Sequence, residues 1–161
     1  MTTIVEQLVE QLRCTFEGPA WHGPSVQEAI TGVTATEAAA HPISGAHSIW
    51  ELALHLSGAY RLVLRRLEGD DAPLLPLEDW PIPPSPTTAS WSRDVASLHA
   101  LNREIRAAVA RFPAARLFEP IVADPPYSAF TQFVGLTQHD LYHAGQVVLL
   151  RRALGHGAHA A

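Results

Sequence analysis

The stretch QHDLYHAGQVVLLRR places His139 and His143 four residues apart in a run whose apolar residues recur with a helical period. Side chains at i and i+4 on a helix are neighbours, about 5–6 Å apart at Cβ, so both imidazoles can reach one metal ion. A third imidazole, His55, lies in HSIWELALHLSGAY, flanked by Leu52 and Leu56, with Gly58 and Ala59 one turn later leaving space above the ring. A histidine in that setting faces inward, and helical bundles build metal sites from inward side chains on facing helices. His55, His139 and His143 are therefore the expected ligands of a divalent cation. Three imidazoles leave at least one coordination position open, the arrangement of catalytic sites. The pair is not the HExxH of zinc proteases, since Asp140 stands where that motif has glutamate.

Several neighbours have chemistry of their own. Glu51 is one turn from His55, where a carboxylate serves as ligand or general base, but as the third residue after Ser48 it is also placed to cap a helix. Asp140 and Gln146 are candidates to orient the imidazole N–H groups, Gln146 being the better placed at i+3 from His143; a solvated Asp140 is the alternative. His22, beside Trp21 in the turn AWHGPS, suits a pocket wall with a catalytic histidine and equally suits an ordinary packed turn. His47 precedes His55 by eight residues, about 12 Å along a helix, so a straight helix cannot bring both to one ion. His99, His156 and His159 have no organised partners, His41 precedes Pro42 in a loop, and all four are expected at the surface. Cys14 reads as a small buried apolar residue rather than a nucleophile.

The elements that must position these groups are helical. TIVEQLVEQLRCTF sets Ile4, Val5, Leu8, Leu12 and Phe16 on one side of an amphipathic helix. Capping boxes at Ser25 with Glu28 and Thr34 with Glu37 start two short helices, and a third box, Ser48 with Glu51, starts a long one over roughly 48–68, ended by Gly69. The proline-rich DDAPLLPLEDWPIPPSPTT cannot be helical throughout and is expected to be a long loop within the domain. A further long helix carries Trp91, Val95, Leu98, Ile105, Val109 and Phe112, and the last carries the histidine pair and stops near Gly155. Four long helices without a convincing strand predict an all-α chain, a four-helix bundle with one long crossover. The tail GHGAHAA is expected to be loose.

Composition sets the bounds. A chain of 161 residues fits one domain, 1–161. With 11 Lys and Arg against 16 Asp and Glu the net charge is -5, and no basic stripe interrupts the helices, so no nucleic-acid partner is expected. One cysteine cannot form an internal disulfide, and the N-terminus has charges where a signal peptide needs an apolar core, which points to the cytoplasm. No apolar run approaches the roughly 20 residues of a membrane span.

HSIWELALHL, then QHDLYHAGQVVLLRR, with PAWHGPS upstream, resembles the DinB/YfiT-like superfamily over nearly the whole chain. The resemblance implies a four-helix bundle of up-down-down-up topology, often a homodimer, with a divalent metal on three histidines matching His55, His139 and His143. It also implies a range of chemistries: transferases or isomerases dependent on a low-molecular-weight thiol, and metal-dependent hydrolases. This chain departs from many members by having histidine, not tryptophan, at position 47, and by the His22 turn. The leading expectation is thiol-dependent S-transfer or detoxification of a small electrophile, with the thiol as co-substrate. The alternatives are hydrolysis by metal-activated water, with Glu51 or His22 as base, and a non-catalytic stress-associated metal-binding dimer. Zinc is the expected ion, with nickel, iron, manganese or copper as alternatives.

Overall fold

The computed structural model describes residues 2–123 and 126–155. Among those residues seven α-helices follow in order: α1 (Ile4–Glu17), α2 (Val26–Ile30), α3 (Ala35–Ala39), α4 (Ile49–Leu67), α5 (Pro76–Asp79), α6 (Thr88–Arg111) and α7 (Ala129–Ala153), with one 3-10 turn at Ala114–Arg116. Among the described residues there is no strand; Pro120 and Ser128 form a single isolated bridge. No described helix is long and apolar enough to cross a membrane.

Each helix start has a local cause. Thr3, Ser25, Thr34 and Ser48 accept from the backbone amide three residues on, and Glu6, Glu28, Glu37 and Glu51 reach back to the cap's own amide. Two otherwise orphaned donors are thereby satisfied at each start. The long helices then bury one stripe apiece. Leu8, Leu12 and Phe16 of α1 meet Trp50, Leu56 and Tyr60 of α4, Leu98, Ile105 and Val109 of α6, and Phe133, Leu136 and Val147 of α7 in one continuous apolar core. Packing joins α1 and α4 each to α6 and α7, while α2 rests on α7 and α3 on α4.

Several of the polar groups that cross this core are paired there. Trp50 donates its indole N–H to Asp94 at 3.0 Å, and Trp91 donates to the Val33 carbonyl at 2.8 Å. Asn102 of α6 donates to the Tyr60 hydroxyl, which donates to Asp140, so three helices share one buried polar chain.

Two expectations change. His99 is half-buried, its ring edge-on to Phe16 at 5.0 Å, because its helix face turns toward α1. The proline-rich connector is not wholly loop: Pro76 supplies a ready-made first helical residue, and Glu78 accepts from the Leu75 amide at 2.8 Å, giving α5. The expectations for His156, His159 and the tail lie outside the described residues.

Candidate metal centre

α7 brings two of its residues to one point. His139 and His143 stand one turn apart, and their Nε2 atoms lie 3.0 Å from each other. α4 supplies the third: His55 Nε2 is 2.9 Å from His139 Nε2. One ligand atom from each of the three rings fits within a 4.8 Å spread, the span of a metal-binding set. Nitrogens bound at about 2.0–2.1 Å in a tetrahedral site stand about 3.3 Å apart, so the rings are already close to the spacing a cation needs.

The proton arrangement says more than the distances. His55 Nδ1 faces two oxygens of Asp79, the carbonyl at 2.8 Å and Oδ1 at 3.0 Å; both accept, so Nδ1 carries the hydrogen and Nε2 presents a lone pair. His143 Nδ1 lies 2.6 Å from Gln146 Oε1, which fixes the same tautomer. Two lone pairs therefore converge on His139 Nε2. If that atom carried a hydrogen it would satisfy one of them and leave the other facing a filled position. A cation at the convergence point accepts all three. The Nδ1 of His139 is buried with no hydrogen-bond partner among the described residues.

Electrostatics favour the neutral form, the one ligands need, at two of the rings, His139 and His143. Burial, then the His143 and His55 rings, pushes His139 down to about 3, and burial lowers His143 as well. The set fits a divalent cation on donor chemistry, tautomer and charge.

The wall around the triad comes from the crossover. Trp80 stacks on His55 with ring centroids 4.0 Å apart and planes 1° apart, and on its other side stacks on His47 at 3.6 Å. Tyr142 stands exposed beside His143, its ring centroid 5.0 Å away. The space that Gly58 leaves is occupied: a Cβ there would lie 2.6 Å from the carbonyl oxygen of Glu78. The crossover backbone, not a void, sits on that part of α4.

Other nominated residues are placed differently. Asp140 does not orient an imidazole and is not solvated. It is fully buried, accepting from Tyr60 at 2.7 Å and Thr15 at 3.1 Å, since one step from His139 turns it about 100° around the helix into the core. Burial pushes its carboxyl up to about 7, against the lowering effect of those two hydroxyls. Glu51 accepts from the Ser48 amide at 2.6 Å and pairs with His41 at 2.9 Å, so its carboxylate is committed to the N-terminus of α4. Trp21 is 97 % exposed, too open to wall a pocket, and the neighbouring His22 ring lies 6.2 Å from it, centroid to centroid. Among the described residues, neither Glu51 nor His22 contacts a triad imidazole. Cys14 is half-buried beside Glu10 and Arg13, and burial followed by the Glu10 contact pushes its thiol up, away from nucleophilic use.

Asp79, Trp80 and Tyr142 were not singled out from sequence. The available signal was the sequence LEDWP, a carboxylate and an aromatic beside a proline in the long crossover. Only the fold reveals where that crossover lands.

Comparison with curated proteins and with solved structures gives no match. The family model of the DinB superfamily matches residues 20–147, a span that contains all three histidines and the crossover, and the chain belongs to that superfamily.

Proposed function

We propose that the protein is a metal-dependent enzyme in which His55, His139 and His143 hold one divalent cation, zinc being our choice, and that it catalyses thiol-dependent transfer to a small electrophile. The observation that carries the metal reading is the convergence of two tautomer-fixed lone pairs, from His55 and His143, on the Nε2 of His139. When bound, such an ion supplies Lewis acidity that favours thiolate over thiol near neutral pH. The chain's own part is to hold three neutral imidazoles, to orient two of them through Asp79 and Gln146, and to shield one flank of the site with the Trp80 ring.

Thiol chemistry is preferred to hydrolysis because the hydrolytic reading asks for a side-chain base. Glu51 is occupied as a cap, and His22 stands beside an exposed indole rather than at the triad. A thiol, once ionised, needs only an electrophile whose leaving group departs as the new carbon–sulfur bond forms, its proton passing to solvent. We further read the chain as one cytoplasmic domain with the up-down-down-up helix order, working as a homodimer, the helix order and the dimer being what the DinB/YfiT-like resemblance implies.

Elemental analysis of protein prepared without an affinity tag tests the first step. We expect about one divalent ion per chain, lost in a His55→Ala, His139→Ala double variant; metal retained by that variant would overturn the site. The metal-loaded protein is then incubated with a panel of low-molecular-weight thiols and a chromogenic electrophile, and separately with esters and amides. Thiol-dependent turnover that the double variant lacks is the expected result. Thiol-independent cleavage would replace transfer with hydrolysis, and no turnover with either would leave a metal-binding protein of another kind.

A further inference from the structure

α5 is a poor helix by its own means. It has four residues, none of them buried, in a proline-rich segment. What holds it is its fit to α4. The Glu78 carbonyl enters the notch at Gly58, where a Cβ would stand only 2.6 Å from that oxygen, and Leu74 flanks the same notch. Arg65 of α4 reaches the Ala72 carbonyl at 3.2 Å and Glu78 at 3.4 Å, exposed contacts that contribute little each. Further contacts reach the site itself: Asp79 on the Nδ1 of His55, and Trp80, packed against the core, clamped between His55 and His47.

We infer that the crossover is a working part of the metal site: seated in the Gly58 notch, it uses Asp79 as a positioning residue for His55, and cation binding and crossover seating reinforce one another. This rests on the three-histidine reading and deepens it. Seating fixes the tautomer of His55 and the direction of its lone pair before any ion arrives. Coupling between two events is reciprocal, so an ion that needs His55 oriented must in turn hold the crossover down. Contacts of this outer kind are worth about 10–100-fold in metal affinity. α5 itself buries nothing, and the partly buried Trp80 that follows it packs on the imidazole of His55, so the seating of the segment depends on how that ring is held.

The experiment uses the untagged full-length protein and Co²⁺ as probe. Affinity is read by competition with a chromophoric chelator in the parent, Asp79→Ala and Gly58→Ala, with circular dichroism to check helix content. Hydrogen exchange of the amides of residues 77–80 is followed with and without Co²⁺. We expect both variants to bind about 10–100-fold more weakly and the parent's exchange to slow on binding. Parent-like affinity in both folded variants, together with exchange indifferent to Co²⁺, overturns the inference and leaves the triad intact. A parent that binds no Co²⁺ overturns the triad itself and the inference with it. Should Gly58→Ala fail to fold, the Asp79→Ala affinity and the parent's exchange decide the matter alone.

Discussion

Asp140 and His139 are neighbours in sequence, and burial shifts them in opposite directions. The Asp140 carboxyl is pushed up to about 7 from an ordinary 3.8 by burial, while His139 is pushed down to about 3 from 6.5 by burial and by the other two rings, and His143 is lowered too. Between roughly pH 4 and 6.5 the folded protein keeps a proton on Asp140 that the unfolded chain has released, so this residue makes stability fall as pH rises. Over the same window the unfolded chain protonates His139 and the folded protein does not, so this residue makes stability rise with pH, and the lowered His143 acts in the same sense. The two effects oppose each other in the metal-free protein. Asp140→Asn keeps a polar group for the Tyr60 and Thr15 hydroxyls but removes the first effect. Its unfolding free energy should therefore climb more steeply than the parent's across that window, by about 1.4 kcal/mol per pH unit for one proton. Urea titrations in chelator at several pH values measure this; equal slopes would mean that Asp140 ionises in the fold as it does in water.

The helix starts were legible because a capping box is a local device. A hydroxyl and a carboxylate three residues later close on each other whatever the tertiary structure, as they do at Ser25, Thr34 and Ser48. Ser48→Ala should remove the bond to the Glu51 amide and cost about 1 kcal/mol, seen as a lower urea midpoint at unchanged slope. The burial of Asp140 was missed, the residue being read as an imidazole's partner or as solvated; the signal lay in the seam of Phe133, Leu136, Asp140, Ala144 and Val147 along α7, where a carboxylate is a core residue before it is a partner of its sequence neighbour. What could not be read was the crossover. Its prolines rule out long helices but say nothing of where the segment docks, and the docking depends on a notch that a glycine on a different element provides. Gly58 reads in sequence as room for an imidazole. In three dimensions it is room for the Glu78 backbone, and Asp79 and Trp80 arrive at the site as a consequence.

At the scale of the molecule, the triad is a cross-link between α4 and α7, two helices that already pack on each other and share Tyr60 and Asp140 in the core below. An ion held by both helices binds the folded chain and has no equivalent site when they separate. It must therefore stabilise the whole fold by mass action, about 2.7 kcal/mol at a free concentration one hundred times its dissociation constant. For a chain of this length that corresponds to a rise in Tm of about 5–10 °C. Thermal unfolding followed by circular dichroism should show that rise with the ion, its reversal by chelator, and no response in the His55→Ala, His139→Ala variant. The size of the response also separates a shared site from a local one. An ion held by His139 and His143 alone would sit on a single helix, and its binding would survive loss of His55; an ion that needs both helices loses its hold when either contributes nothing, so His55→Ala by itself should remove most of the rise.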